Sequence, residues 1–138
     1  MAEKHELTIE ATIANVEKVI DFVDGLLERL GCSMRSQTQI DIAIDEIFSN
    51  ICHYAYGKDV GKATIRLEPL EDEHAVRLTF EDEGIAFDPL ARVDPDVTLG
   101  LHERRIGGLG IFMVKKTMDR LHYVRDGRKN VFSIVKRL

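Results

Sequence analysis

Two stretches in the N-terminal half of the chain carry apolar residues at the spacing of an amphipathic helix. The apolar positions of the first stretch are Val16, Val19, Ile20, Val23, Leu26, Leu27 and Leu30. Gly31 follows them, and glycine is common just beyond a helix C-terminus. The second stretch extends to about Ala55, and Ser36-Gln37-Thr38-Gln39 matches a capping box at or near its start. The pattern therefore predicts two long helices.

Strict alternation of apolar and polar residues predicts about five β-strands. The alternating runs are residues 7–10, 63–67, 75–80, 121–124 and 131–135. A third helix is expected to begin at or just after a group of glycines and to end near Asp119, with Ile111, Val114 and Met118 on its apolar face. Residues 90–106 show no periodicity and predict a long loop. These elements favour a single α+β domain, a two-layer sandwich of three helices on one face of a mixed, mostly antiparallel sheet.

Composition narrows the class of protein without indicating a function. The chain has 138 residues, 44% of them hydrophobic, and a net charge of −5. This charge does not favour binding to nucleic acid or to an anionic membrane. No apolar run is long enough to span a bilayer, and the polar N-terminus is unlike a signal peptide, so we expect a cytoplasmic location. Cys32 and Cys52 lack metal-binding spacing and are expected to be reduced and at least partly buried.

Three short motifs carry candidate chemistry, and each has a plainer structural explanation. Glycines that open a helix let a phosphate approach unpaired backbone N–H groups, although most such glycines only form a loop. Glu46 and Asn50 share one face of the second helix, where they provide a proton acceptor and an oxygen ligand for Mg²⁺, or merely a solvated polar edge. Asp82-x-Gly84 follows a strand and suits either an amine of a base or an ordinary turn.

The order of these motifs resembles that of a known family. Glu46-x-x-x-Asn50, Asp82-x-Gly84-x-x-Phe87-Asp88-Pro89 and Gly108-Leu109-Gly110 are similar to the N, G1 and G2 boxes of the Bergerat-fold ATPases, also called GHKL or histidine kinase-like ATPases. The closer resemblance is to the bacterial anti-sigma factors that are serine-protein kinases, and it covers nearly the whole chain. It rests on Phe87-Asp88-Pro89, on residues 107–111 and on the C-terminal run 130–136.

The resemblance implies a role for each motif residue. Glu46 would be the catalytic base, and Asn50 would hold Mg²⁺ against the phosphates of ATP or ADP. Asp82 would bind the adenine amine, with Gly84 beside the ring. Ser133 stands where family members often have a threonine that helps to bind adenine. These roles are expectations that the structure can examine.

The phosphate-binding segment and the loop before it receive roles in the same way. The resemblance implies that the phosphates contact the segment Gly107, Gly108, Leu109 and Gly110. Residues 90–106 would form a lid over the nucleotide, from which Arg104 or Arg105 reaches the phosphates. Arg105 replaces a proline found in many relatives, and Asp45 adds a second carboxylate directly before Glu46.

The resemblance also implies partners and an activity. The protein would phosphorylate a serine of an anti-anti-sigma factor, a STAS-type antagonist, using Mg²⁺ and ATP. A sigma factor would compete with the unphosphorylated antagonist for binding, and many relatives are homodimers. The alternatives are an ATP-binding regulatory module without phosphotransfer, and an α+β domain whose glycines and carboxylates only form turns.

Overall fold

The described residues form three α-helices and five β-strands, in the numbers that the sequence predicts. A computed structural model describes residues 5–91 and 108–138. The elements in chain order are β1 His5–Glu10, α1 Val16–Arg29, α2 Met34–Tyr54, β2 Lys62–Leu70, β3 Ala75–Asp82, α3 Gly108–Thr117, β4 Arg120–Asp126 and β5 Lys129–Arg137. Short 3-10 helices span Ile13–Asn15, Glu71–Glu73 and Pro89–Ala91.

The sheet has the strand order β1-β2-β3-β5-β4. Each neighbouring pair of described strands is antiparallel, so the expected mixed character of the sheet is not found there. Short connections between sequential strands account for the antiparallel pairing of β2 with β3 and of β4 with β5. In the β3–β5 register, Asp82 lies opposite Asn130 and Thr79 lies opposite Ser133.

The helices cover one face of the sheet, as expected for an α+β sandwich. The apolar stripes of α1 and α2 meet the even-numbered residues of β3 and β5 in one core. Its fully buried members include Val19, Val23, Leu27, Ile40, Ile44, Phe48, Phe80 and Ile134. Ile20 and Leu30 lie at the margin of the core and are only partly buried. The helical periodicity therefore predicted most of the helix–sheet interface.

The helix ends agree with the sequence interpretation, except for the position of one cap. Gly31 follows α1 with φ +72°, the left-handed conformation expected just beyond a helix C-terminus. The N-cap of α2, however, is Ser33, whose Oγ accepts a hydrogen bond from the Ser36 N–H at 3.2 Å. Ser36 is thus the third residue of α2, so the motif Ser36–Gln39 lies near the helix start, as expected, but within the first two turns and not at the cap.

The cysteines, the exposed apolar side chains and the helix lengths bear on further expectations from the sequence. Both thiols are partly buried, and burial raises the pKa of Cys32 and raises that of Cys52 to about 11. Among the described residues, the strongly exposed large apolar side chains lie outside α1. None of the described helices has the length and apolar character that a membrane span requires.

Candidate functional site

A narrow cleft of about 30 Å³ lies between α2 and the adjoining ends of β3 and β5. Its polar and aromatic lining includes Asn50, Tyr54, Asp82, Phe87, Tyr123 and Asn130. The fold thus brings Asn50 and Asp82 to one cavity, although they belong to separate motifs. The rings of Tyr54 and Phe87 stack with their centroids 5.7 Å apart.

Asp82 ends β3 and is only 6% exposed. Its Oδ1 accepts hydrogen bonds from the Gly84 N–H and from Asn130 Nδ2, both at 2.9 Å. Within the part of the chain that the structure describes, both of its hydrogen bonds end on this one oxygen. Oδ2 is therefore the acceptor that the carboxylate can offer to a ligand in the cleft.

Gly84 is required by packing against the protein itself. A Cβ at this position would overlap the Ala55 carbonyl group at the end of α2. The same carbonyl accepts a hydrogen bond from the Ile85 N–H at 2.8 Å, and the Gly84 carbonyl accepts one from Arg125 at 2.7 Å. The expected approach of a ring to this glycine remains a prediction, because helix–loop packing already explains why no side chain fits.

Asn130 is the site residue that the sequence interpretation missed. It is 5% exposed, and its side-chain amide bonds to Asp82, Ile85, Phe87 and Tyr123. A signal was present in the sequence: Asn130 has the same parity as Phe132 and Ile134, which β5 directs into the core. A polar residue on the apolar face of a strand predicts a buried hydrogen-bonding partner.

Ser133 does not reach the cleft. Its Oγ lies 3.3 Å from Thr79 Oγ1, and either hydroxyl can donate the hydrogen bond between them. Because successive side chains of a strand point to opposite faces, Ser133 lies on the face away from Asn130 and Phe132. In the structure Asn130, not Ser133, lies beside Asp82, and the expected contact between Ser133 and adenine stays a prediction.

Glu46 and Gly110 come together at the other end of the site. Glu46 is half-buried on α2, and Gly110 lies in the first turn of α3. A Cβ at Gly110 would overlap the Glu46 carboxyl group, so the two motifs contact each other only because residue 110 is glycine. The first N–H groups of α3 have no intrahelical partners and suit an anion. A proton acceptor therefore lies beside a backbone suited to phosphate.

Asn50 lies one helical turn after Glu46 and fits a magnesium ligand. Its Nδ2 is buried and donates no hydrogen bond to any described residue. Mg²⁺ takes oxygen ligands and commonly keeps waters and substrate phosphates as the others. Residues 5–91 and 108–138 contain no cluster of three or more His, Cys, Asp or Glu side chains suited to a metal. The Asn50 side-chain oxygen is the group on this turn of α2 that would contact the ion beside a nucleotide.

The remaining predicted residues belong to the lid and to the start of α3. Gly108 and Leu109 are the first two residues of α3, which agrees with the expectation that a helix begins within the glycines. Arg104, Arg105 and Gly107 lie outside the described residues, as does most of the expected lid.

Comparison with known proteins identifies the relatives of this chain. The family described as "Histidine kinase-like ATPase domain" matches residues 9–136. Proteins named Serine-protein kinase RsbW from Bacillus cereus and Bacillus mycoides are 29% and 28% identical to it over 128 residues, which is 90% of this chain and 79% of each relative.

Solved structures share the fold at lower identity. The RsbU and RsbW domains of a Mycobacterium tuberculosis protein align over 99% of this chain, with a TM-score of 0.67 and 16% identity. This chain covers 32% of that structure, about a third of its length. The histidine kinase AdeS of Acinetobacter baumannii aligns over 96% of this chain and 67% of its own, with a TM-score of 0.53 and 18% identity. The chain belongs to the family of histidine kinase-like ATPase domains.

Proposed function

We propose that the chain is a single ATPase-type domain that acts in the cytoplasm as an anti-sigma factor and serine-protein kinase. The observation that carries the proposal is that the three predicted motifs, which contain Glu46 and Asn50, Asp82, and Gly110, lie next to one another in the fold. Glu46 touches the start of α3 at Gly110, and Asn50 on the next turn of α2 lines the same cleft as Asp82. Relatives named serine-protein kinases support a serine acceptor.

The residues divide the reaction between binding and proton transfer. Asp82 accepts a hydrogen bond from the adenine amine. The phosphates are bound by the N–H groups of Gly108 and Gly110 and by the Arg105 side chain. Asn50 provides an oxygen for Mg²⁺, which, when bound, neutralises negative charge on the phosphates. Glu46 takes the proton from the attacking serine hydroxyl. The new bond joins the serine oxygen to the γ-phosphorus, and the bond to the bridging oxygen of ADP breaks.

The acceptor is an anti-anti-sigma factor of the STAS type. In its unphosphorylated form it competes with a sigma factor for this protein, and phosphorylation weakens its binding so that the sigma factor is captured. Such a switch requires different affinities for the two forms of the antagonist. A homodimer is part of the proposal by analogy with the family.

The experiment compares Glu46→Gln with Asp45→Asn, a matched control on the exposed side of the same helix turn. Each protein is incubated with Mg²⁺, ATP and its antagonist, and mass spectrometry measures phosphoserine. We expect Glu46→Gln to lower transfer by at least about 100-fold, because general-base catalysis typically contributes about 10²–10⁴-fold. Thermal shifts with ADP should be retained in both variants.

Two results would contradict the kinase assignment. Equal phosphorylation by the wild type and Glu46→Gln would exclude the base role of Glu46. Nucleotide binding by the wild type without any phosphoserine would favour a regulatory module that uses ATP only to shape a partner-binding surface.

A further inference from the structure

Asn130 is a buried amide whose hydrogen-bonding capacity is completely used within the protein. Nδ2 donates to Asp82 Oδ1 at 2.9 Å and to the Ile85 carbonyl oxygen at 2.7 Å. Oδ1 accepts from the Phe87 N–H at 3.2 Å and from the Tyr123 hydroxyl at 2.5 Å. An amide has two donor hydrogens and two acceptor lone pairs, so Asn130 retains no group for a ligand.

The partners also determine which way the amide points. A backbone N–H such as that of Phe87 can only donate, and a carbonyl oxygen such as that of Ile85 can only accept. If the oxygen and nitrogen of Asn130 were exchanged, its NH₂ group would face the Phe87 N–H and its oxygen would face the Ile85 carbonyl oxygen, and neither pair can form a hydrogen bond. The NH₂ group therefore faces Asp82, and it can only stabilise a carboxylate that keeps Oδ1 turned toward it.

Asp82 is held from two directions by this arrangement. The Gly84 N–H and Asn130 Nδ2 both donate to Oδ1, which fixes the carboxyl plane and assigns the two oxygens different tasks. Oδ1 accepts hydrogen bonds from the protein itself, whereas Oδ2 can accept a hydrogen bond from a ligand in the cleft that Asp82 lines. A carboxylate oxygen accepts from an exocyclic amine but repels the carbonyl oxygen of a 6-oxo purine.

We propose that Asn130 is a positioning residue that sets base discrimination by orienting Asp82, an inference that rests on the proposed ATP-binding function of the cleft. Asn130 does not touch the nucleotide itself. Its effect is to keep one acceptor of Asp82 aimed at the amine of adenine. The same amide also ties down the segment containing Ile85 and Phe87, so a test must separate orientation of Asp82 from general support of that segment.

The test uses Asn130→Asp, with Tyr123→Phe as the matched control. Asn130→Asp preserves the size of the side chain but replaces the donor facing Asp82 with a second carboxyl oxygen. Tyr123→Phe removes a different hydrogen bond to the same amide and leaves the Asp82 contact intact. The dissociation constants of ATP and of inosine triphosphate, which has a 6-oxo group, are measured by calorimetry between pH 6 and pH 8.

We expect Asn130→Asp to weaken ATP binding at least tenfold at pH 8 and to recover toward pH 6, because a proton shared with Asp82 restores the missing donor. Binding of inosine triphosphate should change little, so the preference for ATP falls at pH 8. The wild type should keep its preference for ATP across the pH range, and Tyr123→Phe should keep it even where its affinity for both nucleotides changes, because Tyr123 also lines the cleft. If Asn130→Asp does not fold, Asn130→Ala, which also removes the donor facing Asp82, provides the comparison of ATP with inosine triphosphate at a single pH.

Several outcomes would overturn the inference. Equal loss of both nucleotides at every pH would assign Asn130 a structural role only. Unchanged ATP affinity in Asn130→Asp, or an equal loss of preference in Tyr123→Phe, would also reject it. These results differ from failure of the proposed function, in which the wild type itself would bind neither nucleotide.

Discussion

The two ends of the site differ in how far the protein satisfies its own polar groups. At the β3–β5 end, the buried side chains of Asp82 and Asn130 bond to each other and to the neighbouring backbone. Toward the α2–α3 end, one helical turn after Glu46, the buried Nδ2 of Asn50 donates to no described residue, although Asn50 also lines the cleft. A buried polar group without a partner costs about 1–3 kcal/mol. The unpaired Asn50 amide thus lowers the free energy of unfolding on the side of the site where phosphates and Mg²⁺ are expected to bind.

This difference separates recognition from chemistry. Internal hydrogen bonds fix the Asp82 carboxylate, which we propose recognises the base, before any nucleotide arrives, so little ordering would be required on binding. Toward α3, the site has an unmatched amide on Asn50 and a contact between Glu46 and Gly110 in which an added Cβ would displace the Glu46 carboxyl group. Substitutions at the two ends should consequently have different effects on stability, nucleotide affinity and phosphotransfer.

After Glu46→Gln, the largest effect is expected at Asn50. Asn50→Leu should reduce phosphotransfer on the order of 100-fold, the usual loss when one group that stabilises transition-state charge is removed. It should also abolish the Mg²⁺-dependent part of the thermal shift with ADP. Melting without nucleotide should stay the same or rise, because an unpaired amide has been removed from a buried position. Ser49→Ala on the same helix is the control, and unchanged transfer in Asn50→Leu would exclude the metal-binding role.

Asp82→Asn should mainly weaken binding of the nucleotide. The substituted amide can keep both internal hydrogen bonds on its oxygen while presenting a donor where Oδ2 was an acceptor. Hydrogen bonds to charged groups contribute about 1.5–3 kcal/mol, so the thermal shift with ADP should fall by a comparable free energy. Glu83→Gln, an exposed neighbour, should retain the wild-type shift. An equal shift in Asp82→Asn would place the base elsewhere.

Two glycine substitutions test the comparison directly. Gly84→Ala would press a methyl group against the Ala55 backbone, which cannot move away easily, and should lower the free energy of unfolding by about 1–3 kcal/mol. Gly110→Ala would meet only the end of the flexible Glu46 side chain. It should change melting little and lower phosphotransfer by displacing the base. Melting curves and phosphoserine measurements on both variants check this, and the reverse pattern would reject the assignment of the two ends.

The smallest effect concerns two carboxyl groups between α1 and α2, away from the cleft. Burial, followed by a hydrogen bond with Asp24 and its negative charge, raises the pKa of Asp41 from 3.8 to about 8. The folded state therefore retains a proton that the unfolded chain releases, so stability should fall as pH rises from about 4 to 8. Solvent screening keeps this effect modest, because the group is partly exposed.

Melting temperatures at pH 6 and pH 8 test this prediction. Asp41→Asn should remove most of the pH dependence in this range, whereas the exposed Asp45→Asn should keep it. An unchanged pH dependence in Asp41→Asn would show that the proton is bound elsewhere. The carboxyl pair also provides a useful contrast with the cleft, because a proton can satisfy its buried oxygens without a nucleotide.

Sequence patterns predicted the elements well and the site less completely. The helical periodicity of α1 and α2 and the alternation in the five strands follow directly from which positions must leave water. Ser133 was assigned because it stands where family members often have a threonine, whereas the structure places it in the middle of β5 on the face opposite Asn130. Asn130 lies on the same face of β5 as the buried residues Phe132 and Ile134. The alternation along the strand would therefore have favoured Asn130 as the site residue.

By itself, the sequence determined the helices, the strands, their buried faces and the approximate limits of each motif, because hydrophobic periodicity and glycine conformations are local properties. Only the tertiary structure decided which polar groups meet. The β3–β5 register places Asn130 against Asp82, and helix packing places Gly110 against Glu46. These contacts join residues far apart in the chain, and their hydrogen bonds and steric limits depend on backbone positions that no local pattern specifies.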